Sequence, residues 1–372
     1  MSAVTAKWAL TRLGDICEFK YGKSLPETVR AGGDISVFGS NGVVGAHNSA
    51  LTEGPTIVIG RKGSHGEVNF SSGSCWPIDT TYYVDHSATK ADIRWLFHRL
   101  CGAGLNQMNR AAAVPGLNRE DAYRVEILLP PLEEQRRIAA ILDQAETLRT
   151  QRRAALALLD SLTQSLFLDM FGDPVANLKG LPICELQRLC TRITDGTHQS
   201  PAWQKSGIPF LFISNIVEGQ INFDTHKFIS ADTHAELTKR CPIEIGDVLY
   251  TTVGSYGNAA VVSTEKLFAF QRHIAHIKPD KSKLDSRFLA AMIQSPGVRQ
   301  QVDKVAKGIA QKTVNLADLK GLSVFAPPLP LQQTFATRIA SIEALKATHR
   351  RALAALDALF ASLQQRAFAG AL

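Results

Sequence analysis

The sequence predicts an α+β protein built twice over. It has two tandem globular domains, each closed by a long helix, and the two helices lie antiparallel about an internal pseudo-two-fold axis. Three observations carry this. The segment from Leu117 to Gln135 returns as Val314 to Gln332: Asn118 matches Asn315, Asp121 matches Asp318 and Pro130 matches Pro327, each 197 residues apart. The same offset continues without a gap through Glu146/Glu343, Asp160/Asp357 and Phe171/Phe368. Each copy opens on a proline pair, which cannot continue a strand or sit inside a helix, and then runs on for a long stretch with helical periodicity.

The elements follow in order. In the first domain, residues 1–131, short apolar runs are broken by glycine and polar turns. Thr56-Ile57-Val58-Ile59-Gly60 is β-branched and glycine-bounded, so it reads as a strand. A short helix is expected at 92–100. After Pro130-Pro131, residues 132–169 contain neither proline nor glycine. As one helix they would span about 57 Å at 1.5 Å per residue. Leu142, Ala145, Leu148, Leu156, Leu159, Leu162 and Leu166 recur at spacings of three and four, the mark of an apolar face that packs along its length. Gly172-Asp173-Pro174 is a stop signal, so the first helix is expected over 132–172.

The second domain, residues 173–328, repeats the order. Asp247 to Gly254 contains a strand and 286–293 a short helix. Pro327-Pro328 opens the second long helix, 329–372, with Ile339, Ile342, Leu345, Leu353, Leu356, Leu359 and Leu363 on its face. A helix this long would overhang a domain of this size and leave its far leucines in water. Pairing the two copies removes that problem, and a two-fold axis perpendicular to them makes them antiparallel. Arg152 and His349 hold equivalent places within the two stripes, where leucine would be expected.

Composition narrows the function. With 372 residues, 45% hydrophobic and 20% charged, the chain has the make-up of an ordinary globular protein large enough for two cores. A net charge of +7 and a pI near 9.1 favour polyanionic partners. None of the six cysteines forms a C-x-x-C pair, so they read as reduced thiols; Cys17 and Cys190 sit in similar contexts. No apolar leader precedes residue 11, and no stretch of about 18 uncharged apolar residues occurs, so a cytoplasmic location is expected.

Neither proline pair follows Asn or Asp or precedes an aromatic, so the Asn/Asp-Pro-Pro-aromatic motif of DNA amino-methyltransferases is missing, as is a G-x-G-x-x-G. Gly22-Lys23-Ser24 imitates the end of a P-loop, but Cys17 stands where its first glycine belongs. Glu18-Phe19-Lys20, preceded by Asp15, does not complete a nuclease metal site. His273 and His276, three apart in a strand-like run, would face opposite sides. These readings favour a binding role and no metal.

Recognition candidates are clearer. Arg61-Lys62-Gly63-Ser64-His65-Gly66 follows a strand, and Thr252-Val253-Gly254-Ser255-Tyr256-Gly257 takes the matching place. Glycines let such a loop approach a partner closely, and Arg61, Lys62, Ser64, His65, Ser255 and Tyr256 are able to meet phosphate or bases. Asn106, Gln107, Asn109 and Arg110 precede the repeated segment in the first half. Lys307, Gln311, Lys312 and Thr313 do so in the second. Lys20, Tyr21, Lys23, Thr197, His198, Gln271 and Arg272 complete the set of recognition candidates. Asn, Gln and Arg are the side chains that read base edges bidentately.

With these residues in view, the chain resembles, over essentially its whole length, the specificity subunit of a Type I restriction–modification system. The resemblance rests on Leu128-Leu129-Pro130-Pro131-Leu132-Glu133-Glu134-Gln135-Arg136-Arg137-Ile138, on the Gly60-to-Gly66 loop, and on Ile193-Thr194-Asp195-Gly196-Thr197-His198 leading to Gly207-Ile208-Pro209-Phe210. The second Pro-Pro-Leu-x-x-Gln copy departs, with Pro330-Leu331 for Glu133-Glu134.

The resemblance implies two tandem target-recognition domains, each reading one part of a split double-stranded DNA target. It implies a helical spacer that docks two methyltransferase subunits, with restriction or translocase subunits able to join. Glu133, Glu134, Arg136, Arg137, Gln332 and Gln333, at the helix starts, are the docking candidates. This chain would be non-catalytic and bind no cofactor. S-adenosylmethionine would sit in the methyltransferase, which methylates adenine at N6. A second reading of the same residues is a non-catalytic protein–protein scaffold, paired domains on a helical strut.

Overall fold

The computed structural model describes residues 8–108, 116–174, 176–308 and 311–372. The chain divides into two compact units, Met1–Arg153 with Arg351–Leu372, and Ala154–Arg350.

The first unit is built on a four-stranded antiparallel sheet in the order Lys20–Tyr21, Thr81–Val84, Thr56–Gly60, Val68–Ser71. Thr56–Gly60 is buried along its whole length, which is why it is continuous and β-branched rather than alternating. A three-stranded sheet, Gly42–His47, Ile35–Gly39, Trp76–Pro77, and an antiparallel pair, Ala9–Arg12 with Glu126–Leu129, complete the β structure. Phe19, Ile57, Ile59, Val84, Trp95, Leu96 and Ile127 form the core, closed by Ile138 and Leu142 of one long helix and Ala367 of the other.

The second unit repeats this topology. Its four-stranded sheet runs Cys190–Asp195, Ile274–Pro279, Val248–Thr251, Ala259–Val261. Its three-stranded sheet is Phe228–Ile229, Ile208–Leu211, Ala269–Phe270, and its pair is Ile183–Glu185 with Ser323–Phe325. Cys17 is buried, and Cys190 is partly buried against its own core.

The short helices form at the expected places, Ile93–Cys101 and Ser286–Gln294. Each is started by an aspartate: Asp92 accepts from the backbone of Arg94 and Trp95, Asp285 from that of Arg287 and Phe288. The long helices are Leu132–Phe171 and Leu329–Phe368, 40 residues each. At 1.5 Å per residue each is about 60 Å long. Gly172, at φ 79°, ends the first, its amide bonded to the Leu168 carbonyl at 2.8 Å. By length and composition alone Leu132–Phe171 is apolar enough to cross a membrane. Its Phe167 and Phe171, however, are buried in the core of the second unit.

The Pro-Pro-Leu-x-x-Gln motif has a structural explanation. Gln135 takes a hydrogen bond from the Asp92 amide at 2.8 Å and donates to the Pro130 carbonyl at 2.8 Å. Gln332 takes one from the Asp285 amide at 2.9 Å and donates to Pro327 at 2.8 Å and Lys283 at 2.9 Å. One glutamine thus ties each long helix to the cap of the short helix it packs beside.

Each unit contains the opening half of one long helix and the closing half of the other, and in each the two segments run antiparallel. In the first unit Arg137 meets the Leu372 carbonyl at 3.1 Å, and Arg149 meets Asp357 at 2.6 Å. In the second, Phe335 meets Phe171 with centroids 5.4 Å apart, and Lys346 meets Asp160 at 2.7 Å. Arg149–Asp357 and Lys346–Asp160 are the same pair at the 197-residue offset, one in each unit. Such half-exposed pairs contribute at most about 1 kcal/mol each; they specify register more than stability.

The apolar stripes are covered unevenly. Leu142, Ala145, Ile339 and Ile342 are buried, whereas Leu148, Leu162, Leu345 and Leu359 stay exposed. Leu142 is packed into the core of the first unit, and Ile339 and Ile342 into that of the second.

Candidate nucleic-acid interface

In the first unit, the strand Thr56–Gly60 leads into a loop closed by a Gly66 amide bond to the Gly60 carbonyl at 2.8 Å. Gly63 and Gly66 have φ of 73° and 75°, and a Cβ on Gly66 would collide with the Asn106 backbone. The loop is fastened on its other side. The Leu117 amide bonds to the Arg61 carbonyl at 2.9 Å, and Lys62 bridges Gly116. Arg61, Lys62, Ser64, His65 and Asn106 are therefore brought together, with exposed Gln107 on the adjoining turn. Asn109 and Arg110 lie outside the described residues.

Below the loop, the Arg61 guanidinium lies 5.2 Å from the ring of Tyr21, which is 53% exposed. Arg119 lies 5.4 Å from that same ring. Two cations beside one exposed aromatic ring favour an anionic visitor. Arg61 spends one donor on the Asp79 carbonyl at 2.7 Å. Among the described residues the Nε atoms of Arg61 and Arg119 and Nε2 of His65 are buried without a hydrogen-bond partner; Glu120 is 3.6 Å from Arg119 Nε. Lys23 is exposed near this edge, its amide held by Pro77. Lys20 is drawn away, paired with Asp85 at 3.2 Å and bonded to Ser87. Burial works to raise the Asp85 carboxyl, but the Ser87 and Lys20 hydrogen bonds hold it below its ordinary value. Lys20 thus already has a carboxylate partner.

In the second unit the loop backbone is the same. Gly254 and Gly257 have φ of 65° and 94°, and the Gly257 amide meets the Thr251 carbonyl at 2.9 Å. The Val314 amide meets Thr252 at 2.8 Å, and Val253 bridges Thr313. The side chains differ. Thr252 and Val253 replace Arg61 and Lys62, and Tyr256 does not face a partner: it is 7% exposed, its hydroxyl donating to Asp303 at 2.8 Å. Arg299 lies 4.4 Å from the Tyr256 ring and donates to its carbonyl at 2.7 Å. The hydrogen bond to Asp303 raises the Tyr256 hydroxyl pKa above its ordinary value. Tyr256 is thus a core anchor, its hydroxyl held by Asp303, 47 residues away.

Polar groups in the second unit gather beside the loop instead. Thr197 bridges Gln271, and the Arg272 amide meets the Thr197 carbonyl at 3.0 Å. His198 bonds Asp195 at 2.9 Å. Burial, then the nearby Arg272 and His198 charges, lower the His273 pKa. The Thr252 amide meets the His273 carbonyl at 2.9 Å, joining this group to the loop. On the loop's other side Lys307 bridges Thr313, and the Gly254 amide meets the Lys312 carbonyl at 3.0 Å. Ser255, Arg272, Lys307, Gln311 and Lys312 are exposed.

Two residues join the candidates only through the structure. Arg119 was absorbed into the repeat frame; the signal was that its counterpart is Leu316. Trp203, 38% exposed, carries the Lys227 ammonium 5.2 Å from its ring. It offered little beyond being a lone tryptophan in a polar loop.

At the helix starts, Glu133, Arg136 and Gln333 are exposed. Glu134 and Arg137 hold each other at 2.7 and 2.8 Å. Gln332 is 0% exposed and bonded only within its own unit, so it is not available to a partner. Among the described residues no group of three or more His, Cys, Asp or Glu could hold a metal ion. His276 is buried between Asp247 at 2.6 Å and Cys241 at 3.4 Å.

Comparison with known proteins agrees with this geometry. The sequence model of the family described as Type I restriction modification DNA specificity domain matches residues 5–158 and again 185–357. The EcoBI specificity subunit of Escherichia coli is 24% identical over 356 residues, covering 85% of this chain and 73% of that protein. The MjaVIII specificity subunit of Methanocaldococcus jannaschii is 21% identical over 274 residues, covering 68% and 64%. Among solved structures, the Type I system S subunit of M. genitalium aligns over 99% of this chain and 98% of its own, with TM-score 0.67 and 13% identity. A chain from work on complex assembly and conformational transition of the Type I system aligns over 99% of both, with TM-score 0.54 and 19% identity. The doubled α+β fold, its paired loops and the twofold family match place this chain in the Type I restriction–modification DNA specificity family.

Proposed function

We propose that the chain is the DNA-reading subunit of a Type I restriction–modification complex, with each unit reading one half of a split duplex target. One observation carries this: the same glycine-hinged loop is fastened by the same backbone bonds in both units, yet it presents Arg61, Lys62 and His65 in one and Thr252, Val253 and Tyr256 in the other. A constant frame with divergent side chains is what two different half-sites require. Arg61, Lys62 and Arg119 would contact backbone phosphate in the first half-site, and Arg272, Lys307 and Lys312 in the second. Asn106, Gln107, Gln271 and Gln311 would reach base edges.

The long helices would dock two methyltransferase subunits. Their exposed Leu148, Leu162, Leu345 and Leu359, with Glu133, Arg136 and Gln333, supply mixed apolar and charged surface. In this reading the chain is non-catalytic. S-adenosylmethionine and adenine-N6 transfer belong to those partners, restriction subunits join the same assembly, and the complex works in the cytoplasm. A protein scaffold would use the same helices, but it has no use for two cations beside one exposed tyrosine.

The test is the salt dependence of target binding by the complex with its methyltransferase. Each lost phosphate contact lowers the slope of log K against log salt by about 0.9. Arg61→Ala, Lys62→Ala and Arg119→Ala should each do so, whereas Lys20→Ala should leave the slope alone, Lys20 being already paired with Asp85. Unchanged slopes in all three would remove the loop from the interface.

A further inference from the structure

The two units also differ at a place that recognition does not explain. The second contains a cavity of about 610 Å³, whose walls include Thr163, Val261, Ala290, Ala291, Phe167 and Ile339. A volume of this size is within the range of small-molecule sites.

The equivalent space in the first unit is filled by the chain itself. Val261 pairs with Val248 as Phe70 pairs with Ile57. Ala290 and Ala291 follow the cap Asp285 at the distance at which Phe97 and His98 follow Asp92. Thr163 and Phe360 are related by the 197-residue offset. Phe70, Phe97, His98 and Phe360 form one chain of rings, with centroids 5.3, 5.2 and 6.3 Å apart. Arg94 lies 4.1 Å from Phe70, and Arg149 lies 4.4 Å from Phe360. In the second unit all four rings are gone, but the cations remain as Arg287 and Lys346, both on the cavity wall. Asp143, which binds His98 at 2.6 Å, is replaced by Ala340. Phe167, in the place of Gln364, does not refill the space, because it is packed against Phe171, Phe288 and Phe335.

We propose that this cavity binds a small, uncharged, electron-rich aromatic molecule that takes the place of the missing rings. The apolar wall matches its faces, and Arg287 and Lys346 stand where cations stack on rings in the sister unit. Neutrality follows from the rim: Asp160 pairs with Lys346 at 2.7 Å, Glu218 with Arg350 at 2.9 Å and Glu343 with Arg287 at 3.5 Å, leaving no net charge for a ligand to balance. Such a ligand would bind whether or not the unit reads DNA.

The full chain is titrated with indole and followed by ligand-detected NMR and calorimetry. One saturable site per chain is expected. Ala290→Phe, which rebuilds Phe97, should weaken binding at least about tenfold (about 1.4 kcal/mol) while keeping or raising Tm, and Val261→Phe, which rebuilds Phe70, should do the same. Phe97→Ala in the first unit should raise the stoichiometry towards two. Absence of saturable binding to the parent chain, or undiminished binding in both filled variants that still fold, overturns the proposal. Mole-for-mole displacement of indole by the methyltransferase subunit also overturns it, reassigning the cavity to an aromatic side chain of that partner.

Discussion

Replacing Gln332 by alanine removes three hydrogen bonds from a place closed to solvent. The Asp285 amide loses its acceptor, and the Lys283 and Pro327 carbonyls lose a donor. A stranded buried polar group costs about 1–3 kcal/mol, and a carbonyl with a second partner costs less. A total of about 3 kcal/mol is therefore expected, with the second unit loosening where the long helix meets the cap of Ser286–Gln294. For a unit of this size that corresponds to about 6–12 °C in melting temperature. Gln135→Ala severs two such bonds and should cost about 2 kcal/mol in the first unit. Hydrogen exchange read by mass spectrometry separates the two, because each unit has its own core: Gln332→Ala should release amides in 154–350, and Gln135→Ala those in the other unit. Gln333→Ala, exposed one position away, should stay within about 0.5 kcal/mol of the parent. A Gln332→Ala protein as stable as the Gln333→Ala control would refute the cap reasoning.

Two further outcomes are expected. Tyr256→Phe should lower the stability of the second unit and leave the salt dependence of DNA binding unchanged; a flattened salt slope would return Tyr256 to the interface. His98 is held below its ordinary value of 6.5 chiefly by burial, opposed by Asp143 and Glu146 and assisted by Arg94. The folded first unit therefore resists protonating it, whereas the unfolded chain does not. Its stabilising contribution is present above pH 6.5 and is lost as pH falls below that. Urea unfolding of the first unit should show a shallower loss between about pH 7.5 and 5.5 in His98→Gln than in the parent; equal losses would contradict this.

How much was legible in the sequence depended on the range of the interaction. The short helices near 92–100 and 286–293, the strand at Thr56–Gly60 and the long helices all follow from local pattern, and all form. The glutamines of the proline motif were opaque. A polar residue in the first turn of a long helix reads as surface, and only the packing of Ile93–Cys101 and Ser286–Gln294 alongside turns Gln135 and Gln332 inward. Tyr256 failed for a similar reason. The loop pattern that suggested it as a partner of His65 is real at the level of backbone, but its fate is decided by Asp303 and Arg299, far along the chain. Arg119 was hidden inside a segment whose repetition drew attention to what the copies share rather than to where they differ. The emptied aromatic positions could be matched only once strand register and helix caps had aligned the two units.

The central claim is that each unit reads its own half of one split target. It is tested most directly by co-expressing the chain with its methyltransferase subunit and mapping methylated adenines by sequencing. Residues 20–116 are then exchanged for the equivalent segment of another member of the family. The account predicts a bipartite target in which the exchange rewrites one half and leaves the other half intact. A continuous target, or an exchange that alters both halves together, would contradict it.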